Sequence, residues 1–192
     1  MRFLENEIYH VFNRSVNREV IFNNDENYQF FLGRLDKYVS GHADLLAYCL
    51  MPTHFHLVIK VKGDTKELSR GFTNFFISYA KAFNHINNRH GSLFQNRFKG
   101  KIIDSGNYLT NLICYIHQNP VAGELVENCS EWKYSSYNAI LSSAPTKVNR
   151  DAVLEWYGSK DAFVKHHQGI IKNLLELRSL EEVSLRLAKP SV

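Results

Sequence analysis

The chain has 192 residues and only three cysteines, Cys49, Cys114 and Cys129. Their number is odd, they are widely spaced, and none forms a CxxC pair. That argues against a zinc knuckle or a disulfide framework and is simplest in a reduced, cytoplasmic protein. Long apolar runs are also missing, because charges interrupt each stretch before it could span a bilayer. The opening Met1-Arg2-Phe3-Leu4-Glu5-Asn6-Glu7 lacks the apolar core of a signal peptide. There is no internal repeat and no low-complexity tract. What is present is a 44% hydrophobic content with 13% aromatics, enough for a packed core. The net charge of +4 is mild, but its placement is uneven. Arg89, His90, Arg97, Lys99 and Lys101 occupy a stretch without any acid, interleaved with Phe94 and Phe98. Such a strip suits a nucleic-acid backbone, and it suits a solvated surface strand equally well.

Residues 8–14 are rich in strand formers and read as a first strand. Asp25 can cap a helix carrying Tyr28, Phe31, Leu32 and Leu35, which ends by Gly41. Residues 44–50 read as a buried second strand, Met51-Pro52-Thr53 as a break, and residues 54–61 as a third strand. Thr65 can cap a long helix to about Asn87, with Leu68, Phe72, Phe75, Phe76, Tyr79 and Phe83 at helical spacing. Phe94 to Ile103 reads as a basic fourth strand or ribbon. A helix from about Asn107 to Gln118 is expected to stop at Pro120. Residues 121–150 read as irregular, and residues 151–187 as two or three short helices. The order predicts an α+β fold: a ferredoxin-like antiparallel sheet with helices packed on one face, plus a helical C-terminal extension.

His54 and His56 stand at i and i+2 of the third strand, hence on one face, with Phe55 and Leu57 on the other. Two neutral imidazoles so placed can chelate a divalent ion; equally, one can be packed and the other exposed with no metal. Two donors do not close a site, so a third must come from elsewhere. On the helix near residue 115, Leu109, Leu112, Ile113 and Ile116 mark the buried stripe, and Tyr115 and Asn119 share one flank of it. Asn119 offers an amide oxygen to a cation. Tyr115 offers a phenol whose ordinary pKa of about 10 makes it easier to activate than an aliphatic alcohol. It can equally be a half-buried structural tyrosine, and Tyr108, two turns earlier on nearly the same side, is a rival.

These residues resemble the Y1 transposase family of the IS200 type, and more closely its REP-associated tyrosine transposase branch. The resemblance is carried by Tyr9-His10-Val11-Phe12-Asn13-Arg14, by Met51 to Ile59 around His54-Phe55-His56, by Gly91 to Lys99, by Tyr115-Ile116-His117-Gln118-Asn119-Pro120-Val121, and by Trp132 to Tyr137. It covers roughly residues 5–140. It implies a catalytic domain over residues 1–140, with a helical extension over 141–192. It implies an enzyme that nicks and rejoins single-stranded or hairpin-bearing DNA through a 5′-phosphotyrosine, with Mg²⁺ or Mn²⁺. Tyr115 would be the nucleophile, and His54 and His56 would be metal ligands. In the insertion-sequence branch the third ligand resembles a Gln one turn past the tyrosine. Here that position is Asn119, with Gln118 adjacent. Arg14, Arg18, Arg97, Lys99 and Lys101 are the candidate DNA contacts. A monomer is expected, with a homodimer as the alternative and no membrane partner. Two other readings compete: a DNA-binding protein of the same fold that does not cut, and an RNA phosphoesterase using histidines as acid and base.

Overall fold

In the computed structural model, which describes residues 2–103 and 106–169, four strands form one antiparallel sheet. They are β1 (Ile8–Arg14), β2 (Ala43–Met51), β3 (His54–Val61) and β4 (Lys99–Ile102), in the order β2-β3-β1-β4. This is the expected ferredoxin-like sheet. Helix α1 (Asp25–Val39) joins β1 to β2, and α2 (Thr65–Ile86) joins β3 to β4. The two helices lie on one face, where Phe31, Leu35, Phe72, Phe75 and Tyr79 meet Tyr9, Val11, Phe55, Leu57 and Ile59 of the sheet. Alternation along β3 explains the choice, since these three residues are its odd-numbered positions.

The expectation of helices on one face is too narrow. Helix α3 (Gly106–Ala122), α4 (Tyr137–Leu141), α5 (Arg150–Tyr157) and α6 (Lys160–Gly169) build a second core on the opposite face. There Ile113, Ile116, Tyr137, Val153 and Phe163 pack with Cys49, Met51 and Val58. Helix α3 is sandwiched between the sheet and the later helices. Every residue from Leu112 to Gln118 is buried, so its apolar stripe shows only the half that faces the sheet. The part of the expected C-terminal helices beyond residue 169 lies outside the described residues.

Three local expectations shift. The caps of α1 and α2 are Asn24 and Asp64, one residue earlier than Asp25 and Thr65; their side chains accept from Asn27 N–H and from Lys66 and Glu67 N–H. The fourth strand is only Lys99–Ile102, because Phe94 turns into the first core and forms an isolated bridge with Ser15. Pro120 lies inside α3 instead of ending it. It enters in the last turn, where a missing N–H removes a single helical bond, and Gly123 N–H still reaches the Asn119 carbonyl at 2.8 Å.

A buried polar chain ties the second core together. His117 Nε2 lies 2.7 Å from Ser136 Oγ, and His117 Nδ1 lies 2.9 Å from His167 Nε2. His167 Nδ1 donates to the Phe163 carbonyl at 2.8 Å, and Ser136 Oγ accepts Tyr48 N–H at 2.9 Å. These partners are consistent with one proton per ring: Ser136 donates to His117, and His117 donates to His167. Burial holds both imidazoles below the ordinary histidine range, His167 at about 4.

Gly71 sits where α2 crosses α1, and a Cβ there would overlap the carbonyl oxygen of Tyr38. Gly71→Ala should gain helix propensity yet lose more to this overlap. A net destabilisation of about 1–3 kcal/mol is expected from the urea midpoint. A stabilised variant would show that the two helices can slide apart without cost.

Candidate active site between the sheet and α3

The register of β1 with β3 and β4 assembles one polar patch on the second face. Phe12 pairs with His56, and Arg14 with His54. His10 pairs with Lys101, and Phe12 with Lys99. Directly paired residues of an antiparallel ladder point to the same side. His10, His54, His56, Arg14, Lys99 and Lys101 therefore all project toward the side covered by α3. A cleft lined by Arg14, His54, His56, Gln95, Asn96 and Lys99 opens at its end.

Helix α3 brings its residues to the same place. The Tyr115 ring lies 6.2 Å from the His56 ring, and the His54 and His56 rings are 5.2 Å apart and nearly perpendicular. Asn119 donates from Nδ2 to the Tyr115 carbonyl at 3.0 Å. Its side chain also hydrogen-bonds His54, which acts to raise that imidazole's pKa. Burial dominates, aided by the charges of His56 and Arg14, and pushes His54 down to about 3. Tyr115 is 6% exposed, so its phenol sits within the second core.

Gln118, the neighbouring candidate, turns the other way. Its amide donates to the His167 carbonyl at 2.9 Å, inside the α3–α6 contact. Tyr108 lies on the outer edge, with Lys101 Nζ 3.4 Å from its hydroxyl. The proposed basic contacts divide. Arg14 and Lys99 line the histidine cleft, and burial and Arg14 together hold Lys99 below the ordinary lysine range. Lys101 stands beside His10, whose pKa its charge helps to lower. Arg97 lines a neighbouring groove against α2. Arg18 is exposed in a single 3₁₀ turn, Val16–Arg18, with positive φ at Asn17 and Arg18 (54° and 57°). Arg89 of the basic strip is paired with Glu19 at 2.7 Å.

Sequence reasoning missed His10. It is buried, and its Nε2 lies 2.9 Å from His56 Nδ1. Burial first, then the charges of His56 and Lys101, hold it well below the ordinary histidine range. The contact occupies Nδ1 of His56, so any ion taken by His56 would be taken through Nε2. The signal was available: His10 falls in phase with Phe12 and Arg14 on the strand opposite the histidine pair.

The donor set fits a weak, open divalent site. The His54 imidazole, held neutral by burial, need not lose a proton to ligate, and Asn119 places an amide beside it. Among the described residues no group of three His, Cys, Asp or Glu side chains is arranged to hold an ion. The remaining donors would therefore come from the amide, water or substrate oxygens. No helix of the described residues is long and apolar enough to cross a membrane.

No family model matches the chain. A Haemophilus influenzae protein named for the REP-associated tyrosine transposases is 28% identical over 104 residues, covering 50% of this chain and 59% of that protein. The match thus spans less than two thirds of the relative. In fold, the chain resembles a REP-associated tyrosine transposase solved bound to a REP hairpin. The TM-score is 0.58 at 19% identity, covering 76% of this chain and 86% of that one. A Deinococcus radiodurans R1 protein described as a transposase, with a TM-score of 0.40 and 14% identity, is too distant to carry an argument. The resemblance read from the motifs is met once in sequence and once in fold.

Four buried or half-buried imidazoles (His10, His54, His117 and His167) have native pKa values below the ordinary 6.5. The unfolded chain then binds more protons below about pH 6.5, so their stabilisation is full above that pH and falls as pH drops toward the native values. Each fully buried imidazole should cost roughly 1.4 kcal/mol per pH unit in that window. Urea midpoints at pH 7.5, 6.5 and 5.5 should fall steeply between the last two. A flat profile would mean that these rings are not held neutral.

Proposed function

We propose that this chain, a relative of the REP-associated tyrosine transposases in motif and fold, cuts and rejoins single-stranded DNA beside a hairpin through Tyr115. The observation that carries the reading is the meeting of Tyr115 with His56 and of Asn119 with His54, from elements distant in sequence.

The cations Arg14 and Lys99 bind and orient a DNA phosphate at the cleft mouth. His54, His56 and Asn119 would hold Mg²⁺ or Mn²⁺, which when bound supplies charge stabilisation at the phosphate oxygens. His10 positions His56 through its Nδ1. The Tyr115 phenolic oxygen attacks phosphorus, the bond from phosphorus to the 3′ oxygen breaks, and a 5′-phosphotyrosine forms. The phenolic proton is lost and a proton is taken up by the departing 3′ oxygen, so the step balances. A strand ending in a 3′-hydroxyl can reverse it, which joins DNA. Because Tyr115 is 6% exposed, the side chain or α3 must shift outward for the attack.

Tyr115→Phe is expected to abolish covalent capture of hairpin-bearing oligonucleotides, read as a shifted band on a denaturing gel, while leaving binding within about threefold. Capture that survives moves the nucleophile, first to Tyr108. Tight binding by the wild type without nicking across many sequences favours a non-cleaving binder.

Among the described residues no carboxylate lines the cleft, and Arg14 and Lys99 stand beside it, which makes the free protein a poor cation trap. Calorimetry should find weak Mn²⁺ binding by the protein alone and at least tenfold tighter binding with oligonucleotide present, and DNA should gain the same factor from Mn²⁺. His54→Ala and His56→Ala should each remove that coupling. Equal Mn²⁺ affinity with and without DNA would sink the shared-site reading.

A further inference from the structure

His54 and His56 are each engaged at the same ring atom. His56 Nδ1 lies 2.9 Å from His10 Nε2, and His54 Nδ1 lies 3.1 Å from the Thr53 hydroxyl. The two supports are themselves fixed. His10 is buried and its ring stacks on Phe12, with 4.7 Å between centroids. Its plane lies within 19° of that of His56, which suits an in-plane contact between ring nitrogens. Thr53 belongs to the two-residue turn between β2 and β3. That turn is tied to the segment after β1: Ser15 N–H donates to the Thr53 carbonyl at 2.9 Å, and Ile21 N–H to the Pro52 carbonyl at 2.8 Å. Each Nδ1 therefore faces a group able to accept a proton, a ring-nitrogen lone pair for His56 and a hydroxyl oxygen for His54. With Nδ1 taken, the atom left to each ring for an ion is Nε2.

We infer that His10 and Thr53 are positioning residues that take the Nδ1 protons of His56 and His54 and so present both Nε2 lone pairs to a divalent ion. This rests on the proposed function. A neutral imidazole carries one ring proton, and the nitrogen that binds an ion cannot carry it. When both rings ligate through Nε2, both protons sit on Nδ1, and each needs an acceptor there. His10 fills that role in one of its two neutral tautomers, with its own proton on Nδ1. The opposite arrangement, His10 donating from Nε2, puts the His56 proton on Nε2 and closes that ring to the ion. The Thr53 hydroxyl can rotate, so it accepts from His54 when an ion is bound and can donate otherwise. The two supports thus differ: His10 commits the His56 proton before an ion arrives, and Thr53 follows. A role in packing alone would ask for the volume of these side chains and not for an acceptor.

The test reads proton placement apart from DNA cleavage. In metal-free wild-type protein carrying ¹⁵N-labelled histidine, proton–nitrogen correlation spectra should place the His56 proton on Nδ1. His10→Leu should lose that assignment, and His10→Gln, whose amide oxygen can accept, should keep it. Calorimetry with a hairpin oligonucleotide present should find Mn²⁺ affinity lowered about tenfold or more in His10→Leu and in Thr53→Val, and within about threefold of wild type in His10→Gln. All three variants should keep the wild-type circular dichroism spectrum and bind the oligonucleotide without metal to within about threefold. A His56 proton on Nε2 in the metal-free wild type overturns the inference. So does unchanged Mn²⁺ affinity in Thr53→Val or His10→Leu, or a His10→Gln variant as weak as His10→Leu. Each of these leaves the proposed function standing. If His10→Leu does not fold, the wild-type spectrum and Thr53→Val decide the matter. A wild type that binds no Mn²⁺ even with oligonucleotide present overturns both readings.

Discussion

The antiparallel register of β1 on β3 is the constraint on which the site depends. It sets Phe12 opposite His56 and Arg14 opposite His54, and through β4 it adds Lys99 and Lys101 to the same face. A slip of one residue would turn every one of these side chains into the aromatic core and bring Val11 and Asn13 out in their place. The slip is prevented from the other side. Tyr9 and Val11, with Phe55, Leu57 and Ile59, are buried against α1 and α2, and exposing them would forfeit several large apolar burials. The aromatic core thus fixes, by period-two alternation, the position of charged groups it never touches.

The outer edge of β2 shows how the chain closes that sheet. Leu50 N–H donates to the Tyr134 carbonyl and Ser136 N–H to the Tyr48 carbonyl, while Trp132 Nε1 donates to the Leu50 carbonyl. Farther along, Asn149 N–H reaches the Leu45 carbonyl. A strand edge left open is a template for another chain. Here the segment after α3 uses those groups, and in doing so it anchors Ser136 where His117 needs a donor. Protection of the edge and the polar chain under α3 are one arrangement.

Much of this was legible in the sequence. β1 and β3 begin and end where alternation placed them, since each has a clean apolar face and a clear break. The flank shared by Tyr115 and Asn119 followed from helical geometry, and it holds. What could not be read was anything that depends on which elements meet across the chain. The α3 stripe gave no sign of a second helical layer, because a helix buried all round shows no polar face from which to infer orientation. His10 was visible as a strand residue but not as the partner of His56, since that needs the register between strands 46 residues apart. Pro120 was misjudged because a rule for helix interiors was applied to a last turn. Gln118 and Asn119 were inseparable until α6 was seen to take the first.

The two faces differ in what holds them. The α1–α2 side is a continuous aromatic core without a histidine among its buried members; the α3 side relies on a smaller apolar set and a chain of neutral imidazoles. His54 and His56 ride on the sheet, shared by both, whereas Tyr115 belongs wholly to the second. The histidines and the tyrosine are therefore carried by different layers, the sheet and the helical layer packed on its second face. Under the proposed reading, bringing the buried phenol to a strand of DNA asks for movement within one layer, against a sheet whose other face stays packed on α1 and α2.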